Sequence, residues 1–337
     1  MSELPITSAD AKQPRHIALA AAGARRVIAG IGFTVLLLGL LFLVVTLGDL
    51  SRLFSNAAVR VYLLAFGIYI VLALIERALP AAGPRKSFDD WLLNFQINIF
   101  TGSFFALGGM LLGFLVKALN EHFRLGWIDL RFPHDHGALT LLGVFVVSSF
   151  VGDFFYYWYH RTWHKVPFFW QSHKLHHTDT SLEAITVGRQ SWTEIMLPLF
   201  TGLPAALIFK LDAIDYFSAG VSGAVIGISS MVWGPLFHAN IKLHLGWASF
   251  LLNNPQLHRI HHSRLPQHRD KNFANYYPIW DVIFGTYYAP SRHEYPPTGV
   301  EGEPEVTSFA DAQLVTLRGW WQMLRAWRRS RVEATTR

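Results

Sequence analysis

Long apolar runs, each ended by a short polar break, set the plan of this chain. Residues 27–47, 59–79, a stretch within 91–119, and 138–159 carry few charges over about the 20 residues a helix needs to cross a bilayer core. The first run begins late and is too long for a signal-peptide core, so it predicts a retained span. Two more apolar pieces, 195–209 and 213–237, are split by Lys210, Leu211 and Asp212. The first is short and interrupted by Pro198, Gly202 and Pro204, which predicts a kinked or re-entrant arm. Together they predict a hairpin that enters and leaves on one side of the membrane. The last stretch sets Leu314, Leu317, Trp321 and Leu324 on one helical face with arginines elsewhere, the pattern of an interfacial amphipathic helix or of a helix packed on the cap. The expected fold is an all-α integral membrane protein of about four transmembrane helices plus a helical hairpin, with a histidine-rich helical cap on the cytosolic face.

Polar residues orient that plan. The tail 1–27 carries Lys12, Arg15, Arg25 and Arg26, and Arg77, Arg85 and Lys86 follow the second run, which predicts both on the inner side. Four segments result: a cytosolic tail (1–27), N-terminal spans and loops (28–136), a histidine-bearing domain (137–290), and a C-terminal tail with a basic amphipathic helix (291–337). The loop 120–137 falls outside by this count, so His122, His134 and His136 are not expected as ligands. The formal charge of +6 fits positive-inside loops and anionic lipid better than nucleic acid, for which the chain offers neither a recognition helix nor a phosphate loop. Cysteine is absent, which excludes disulfides, thiolate ligands and a cysteine nucleophile.

Histidine is left to carry metal chemistry, and it is clustered. His160-x3-His164 is followed by His173-x2-His176-His177, and His258-x2-His261-His262 repeats the second spacing. Positions i, i+3 and i+4 share a helical face, so each cluster is expected to aim its imidazoles at a common centre. Eight such residues exceed the needs of one tetrahedral zinc and suit two metals side by side. His238, where the hairpin should exit, is the natural ninth. His244, His268 and His293 read as ordinary histidines. Asp153 lies two turns before His160 on the same face, at a depth where a carboxylate needs a partner or a function; the expected role is to accept the free N–H of a ligating ring.

The run HRTWH, HKLHH, HRIHHS and DKNFANYYPIWDVIFGTY resembles the fatty acid hydroxylase superfamily, which contains sterol desaturases, fatty acid hydroxylases and alkylglycerol monooxygenases. The resemblance covers about residues 138–288. It implies a membrane-embedded, non-haem di-iron centre that uses O2 on an unactivated C–H bond of a lipid, with hydroxylation expected ahead of desaturation. The implied ligands are His160, His164, His173, His176, His177, His238, His258, His261 and His262. Glu183, Glu194, Asp270 and Asp281 are candidates to orient those rings, and Asn272 and Asn275 to hold a bridging water. The segment Arg189-Gln190-Ser191 is similar to alkylglycerol monooxygenases, which draw electrons from tetrahydrobiopterin; Arg189 could also meet a lipid phosphate or pair with Glu183 or Glu194. Asp153, Arg189 and Glu194 are therefore the candidates for catalytic work outside the histidines. Electrons must come from an external reductant, either a partner protein or a diffusible molecule. A zinc protein without oxygen chemistry is the competing class.

Overall fold

The computed structural model describes residues 57–83, 85–123, 138–208 and 232–335. The chain divides into two compact units, Met1–Arg60 and Val61–Arg337, and the contacts below belong to the second. The tail 1–27, the first apolar run and most of 213–237 lie outside the described residues, as do His16, His134 and His136. What is described is helical, with two isolated β-bridges and no named strand.

Helix α1 spans Ala57–Ala78 and α2 spans Phe88–Phe123. A capping box starts α2: Ser87 Oγ accepts the Asp90 amide, and the Asp90 carboxylate accepts the Ser87 amide. At 1.5 Å per residue α2 is about 54 Å long, more than a bilayer core requires. Its first turns are accordingly spent in the cap, where Leu93 and Ile97 pack with Leu175 and Ala312. Its later turns leave Met110, Leu111 and Phe114 exposed. Among the described residues, α2 is the one helix long and apolar enough to cross a membrane.

Helix α3 (Ala138–Lys165) runs without a break through His160 and His164, so the apolar run and the first histidine pair are one element. Val166 turns the chain in an extended conformation, and Pro167 opens α4 (Pro167–His177), a first-turn place that needs no amide donor. Short 3-10 turns at Ala184–Gly188 and Trp192–Met196 lead to α5 (Leu197–Ile208). The described part of the expected arm is thus helical, with Pro204 inside it. A helical run over 232–238 precedes α6 (Pro255–His261), α7 (Ile279–Ile283) and α8 (Phe309–Thr335). Asn254 caps α6 by accepting the amides of Gln256 and Leu257.

Buried charges tie these pieces together. Lys86 reaches both oxygens of Asp179 at 2.6 Å, with both side chains almost wholly buried. Burial alone would raise the Asp179 carboxyl, but Lys86 and Arg189 override it and hold it below the usual range. Glu76 accepts the amides of Ala184 and Asn240, both at 2.7 Å, and so pins the chain just beyond His238 to α1. Arg259, on the helix that carries His258 and His261, bonds Pro296 O, Asn240 Oδ1 and Ala82 O. None of these groups touches a histidine ring; they fix the backbone from which the rings project.

Candidate metal centre

All nine histidines of the clustered set are brought together, but as two groups. His160, His164, His173, His177 and His261 form one; His176, His238, His258 and His262 form the other. In each group one ring nitrogen per residue lies within 4.8 Å of every other. The sequence clusters are therefore divided, which corrects the expectation of one shared face per cluster. On α4, His173 and His177 are one turn apart and meet the first group, while His176 turns to the second. On α6, His258 and the capping His262 meet the second group and His261 the first. Adjacent residues sit about 100° apart on a helix, so an H-H pair splits between two neighbouring centres. The groups adjoin, with the rings of His177 and His262 stacked at 4.3 Å.

The second group is the tighter. Nε2 of His238 lies 3.2 Å from Nε2 of His176 and 2.9 Å from that of His258, which lies 3.0 Å from that of His262. In the first group the Nε2 atoms of His160 and His173 are 3.1 Å apart. The Nε2 atoms of His164, His177 and His261 are buried and have no protein partner. Ligands about 2.0–2.1 Å from one ion at tetrahedral or octahedral angles stand roughly 2.9–3.4 Å from each other. Convergent, buried imidazole nitrogens at that spacing fit a metal ion in each group, and in the first group three of them have no protein partner.

Ring orientation is set mainly by the backbone. His160 Nδ1 lies 2.7 Å from Phe273 O, His261 Nδ1 2.8 Å from Lys271 O, and His238 Nδ1 2.8 Å from Gly234 O. A carbonyl only accepts, so each Nδ1 carries the proton and each Nε2 is left with its lone pair facing the group. Glu194 serves His173, with Nδ1 3.3 Å from Oε1, and is itself held by the Tyr159 hydroxyl at 2.7 Å.

The other expected carboxylates act differently. Asp153 accepts the amides of Asn275, Tyr276 and Tyr277 rather than a ring N–H. Asp281 accepts the amides of Phe273 and Ala274 and the Thr286 hydroxyl. Both hold the 273–277 segment that delivers the Phe273 carbonyl to His160. Asp270 lies 4.0 Å from His164 Nδ1 and bonds Lys165 at 2.6 Å. Glu183 closes the capping box of a 3-10 turn and accepts the Lys86 amide, with no histidine against it. Asn272 spends its side chain on Leu257 O, Tyr288 O and the Tyr288 amide, and the Asn275 backbone amide goes to Asp153. Arg189 is buried against Asn94 Oδ1 and Val306 O, and it bonds neither Glu183 nor Glu194. Its guanidinium joins α2 to the segment before α8. His268 is buried between Ser263 and Glu294, away from both groups.

The carbonyls of Phe273, Lys271 and Gly234 were not foreseen, because a backbone acceptor leaves no side-chain signature. One signal did exist. Asp270 and Asn272 have φ of 61° and 55°, a region in which Asp and Asn are enriched, and the D-x-N pattern marks the turn that presents Lys271 O.

Burial, then the neighbouring imidazoles, holds His176, His177, His258 and His262 well below the ordinary imidazole range; His261 is pushed down to about 3, with burial the largest cause. The rings are thus neutral and ready as ligands near neutral pH. A cavity of about 310 Å³ opens beside the first group, lined by His164, His177, His261, Trp170, Arg264 and Asp270. If Glu194 orients His173 as drawn, Glu194→Gln weakens metal affinity by roughly 10–100-fold, measured by chelator competition, while the fold survives. Unchanged affinity would remove Glu194 from the site.

Fold and site together define an all-helical protein built around a cage of nine histidines able to hold two metal ions. Residues 145–286 match the fatty acid hydroxylase family model. That stretch is a fatty acid hydroxylase domain, and it covers less than half of the chain. It is 34% identical to human alkylglycerol monooxygenase over 143 residues, which is 42% of this chain and 30% of that protein. It is 26% identical to the ornithine lipid hydroxylase OlsE of Rhizobium tropici over 158 residues, 47% of this chain and 46% of that one. A fatty acid hydroxylase of a Lecanicillium species is 27% identical over 147 residues, 40% and 39% of the two chains. The match thus spans less than a third of human alkylglycerol monooxygenase and less than half of the other two. No solved structure matches.

Proposed function

We propose that the chain is a multi-pass membrane enzyme that hydroxylates a lipid C–H bond with O2, using two iron ions held by the nine histidines. The observation that carries this reading is the pair of adjoining imidazole groups, five and four rings, with buried nitrogens convergent in each. Two irons so held would supply the oxygen and redox chemistry, for which zinc has no accessible states. The resemblance to lipid hydroxylases favours a lipid substrate, and the exposed apolar residues of α1, α2 and α3 favour a bilayer around them. In this reading α2 and α3 are two of about four spans, and the cage lies at the cytosolic face where α3 ends.

The protein's own part is placement and dryness. Three carbonyls and Glu194 fix which nitrogen faces the ions. Phe273 lies against His160, His164 and His261, and Phe237 against His238 and His258, so aromatic walls shield those sides of the groups from water. The polar cavity beside the first group is the route by which an external reductant, protein-borne or a diffusible pterin such as tetrahydrobiopterin, approaches the centre.

The test is lipid mass spectrometry under ¹⁸O2 in cells expressing the intact chain or His176→Ala. A lipid class gaining one labelled oxygen only with the intact chain is the expected result, and it names the substrate. Loss of two hydrogens would make the enzyme a desaturase. No difference, with zinc and no iron in the purified protein, would overturn the oxygenase reading.

A further inference from the structure

The C-terminal helix α8 is not used by the site, and its two faces differ. Ala312, Thr316 and Gly319 are buried, with Met323 half-buried below them, at a spacing of four, three and four residues. That face docks on the protein: Ala312 joins Leu93, Ile97 and Leu175, and Thr316 Oγ1 meets Ser191 Oγ at 2.9 Å. A Cβ at Gly319 would meet the Gln171 side chain of α4, which would have to move aside, so the two helices approach closely here. Trp320 beside this face stacks on Phe168 at 4.7 Å and donates to its carbonyl. On the opposite face Leu314, Leu317, Trp321 and Leu324 are all exposed, from 38% to 54%. Residues 324–334 are exposed on every side, Trp327 and Val332 included.

A helix end without tertiary support is marginal in water, and an apolar stripe opposite a docked face calls for a cover. Two observations identify the cover. First, the stripe is bordered by Arg318, Arg325, Arg328 and Arg329, and Arg325 lies over the Trp321 ring at 5.9 Å, the pairing of amphipathic rings and cations found at a headgroup layer. Second, α8 is seated on the first turns of α2 and, through Phe168, on the corner where α3 leaves its apolar run; Trp158, Val166 and Phe168 at that corner are exposed as well. We propose that α8 is an interfacial anchor whose outer face takes the headgroups and upper acyl chains of anionic phospholipids, with its inner face clamped to α4. This rests on the membrane reading above.

The absence of cysteine from the chain makes the test clean. Full-length Leu317→Cys, Leu324→Cys and, as reference, Ala326→Cys are reconstituted in nanodiscs of phosphatidylcholine with or without phosphatidylglycerol and treated with a water-soluble maleimide. With phosphatidylglycerol, Leu317→Cys and Leu324→Cys should react roughly tenfold or more slowly than Ala326→Cys. The gap should narrow in phosphatidylcholine alone, and narrow again when Arg325, Arg328 and Arg329 are changed together to Glu. Equal rates in every lipid overturn the proposal. Protection that ignores lipid charge overturns the anionic assignment, and protection accompanied by two chains per disc gives the face to a second copy. A chain that will not enter nanodiscs overturns the membrane reading and this proposal with it; a chain that enters and labels uniformly overturns this proposal alone.

Discussion

His258→Ala and His261→Ala, three positions apart on α6, will each remove about one of two bound metal ions, and the ions will be different ones. His258 belongs to the four-histidine group and His261 to the five-histidine group, so each variant opens one group and leaves the other closed. Metal analysis should fall from two equivalents to about one in each, and the double variant should hold none. Product formation should drop in each by more than the roughly 10–100-fold that loss of a mere ring-orienting partner costs, because the reaction is assigned to both ions. Mössbauer spectra of iron-loaded protein tell the two single variants apart. His176→Ala should resemble His258→Ala, and His177→Ala should resemble His261→Ala, although the two residues are neighbours. A variant that keeps both equivalents, or a His258 and His261 pair that empties the same site, would sink the two-group arrangement.

Acid will destabilise the metal-free chain steeply below about pH 6.5, the ordinary histidine value. Five histidines of α4 and the α6 end, His176, His177, His258, His261 and His262, have folded values pushed below that, chiefly by burial. The sign follows from where the proton goes. Above the unfolded value neither state binds it, and the contribution is fully present. Below it the unfolded chain takes up protons that the folded cage refuses, and stability is lost as pH falls toward the folded values, about 3 for His261. Each such residue contributes a slope of about 1.4 kcal/mol per pH unit in that window. Melting temperatures of the chelator-treated protein should be level between pH 7 and 8 and fall sharply from pH 6.5 to 5. Metal should shift the onset of the fall to lower pH, since the bound ion competes with the proton for the same nitrogen. A flat profile across that range would mean the rings are solvated and the cage is not closed.

Several features could be read from the residues because local rules govern them. The spacings of three and four placed histidines one helical turn apart, whatever surrounds them. Apolar length predicted a helix within 91–119, and α2 is that helix with further turns at both ends. The stripe of Leu314, Leu317, Trp321 and Leu324 lies on one face as the spacing predicts, and it is exposed while the opposite face is docked on the cap. The carboxylates were harder. Asp153 and Asp281 looked like partners for imidazole, but a buried carboxylate is satisfied equally well by backbone amides, and which donor it meets depends on a segment more than a hundred residues away for Asp153.

Taken alone, the sequence determined that this is a helical chain with apolar runs of membrane length and that histidine, not cysteine, is the residue available for metal chemistry. It also determined which nine histidines to gather, because helical periodicity and a recurring motif are local properties. Only the tertiary structure decided how those nine divide. The 100° step between adjacent helical residues sends His176 away from His177 and His261 away from His262, but the groups each one joins are set by how α3, α4, α6 and the 232–238 run meet. It also decided that backbone carbonyls orient three of the rings, since which carbonyl meets a ring depends on how the two segments are packed, as when Asp281 holds the amide of Phe273 whose carbonyl faces His160.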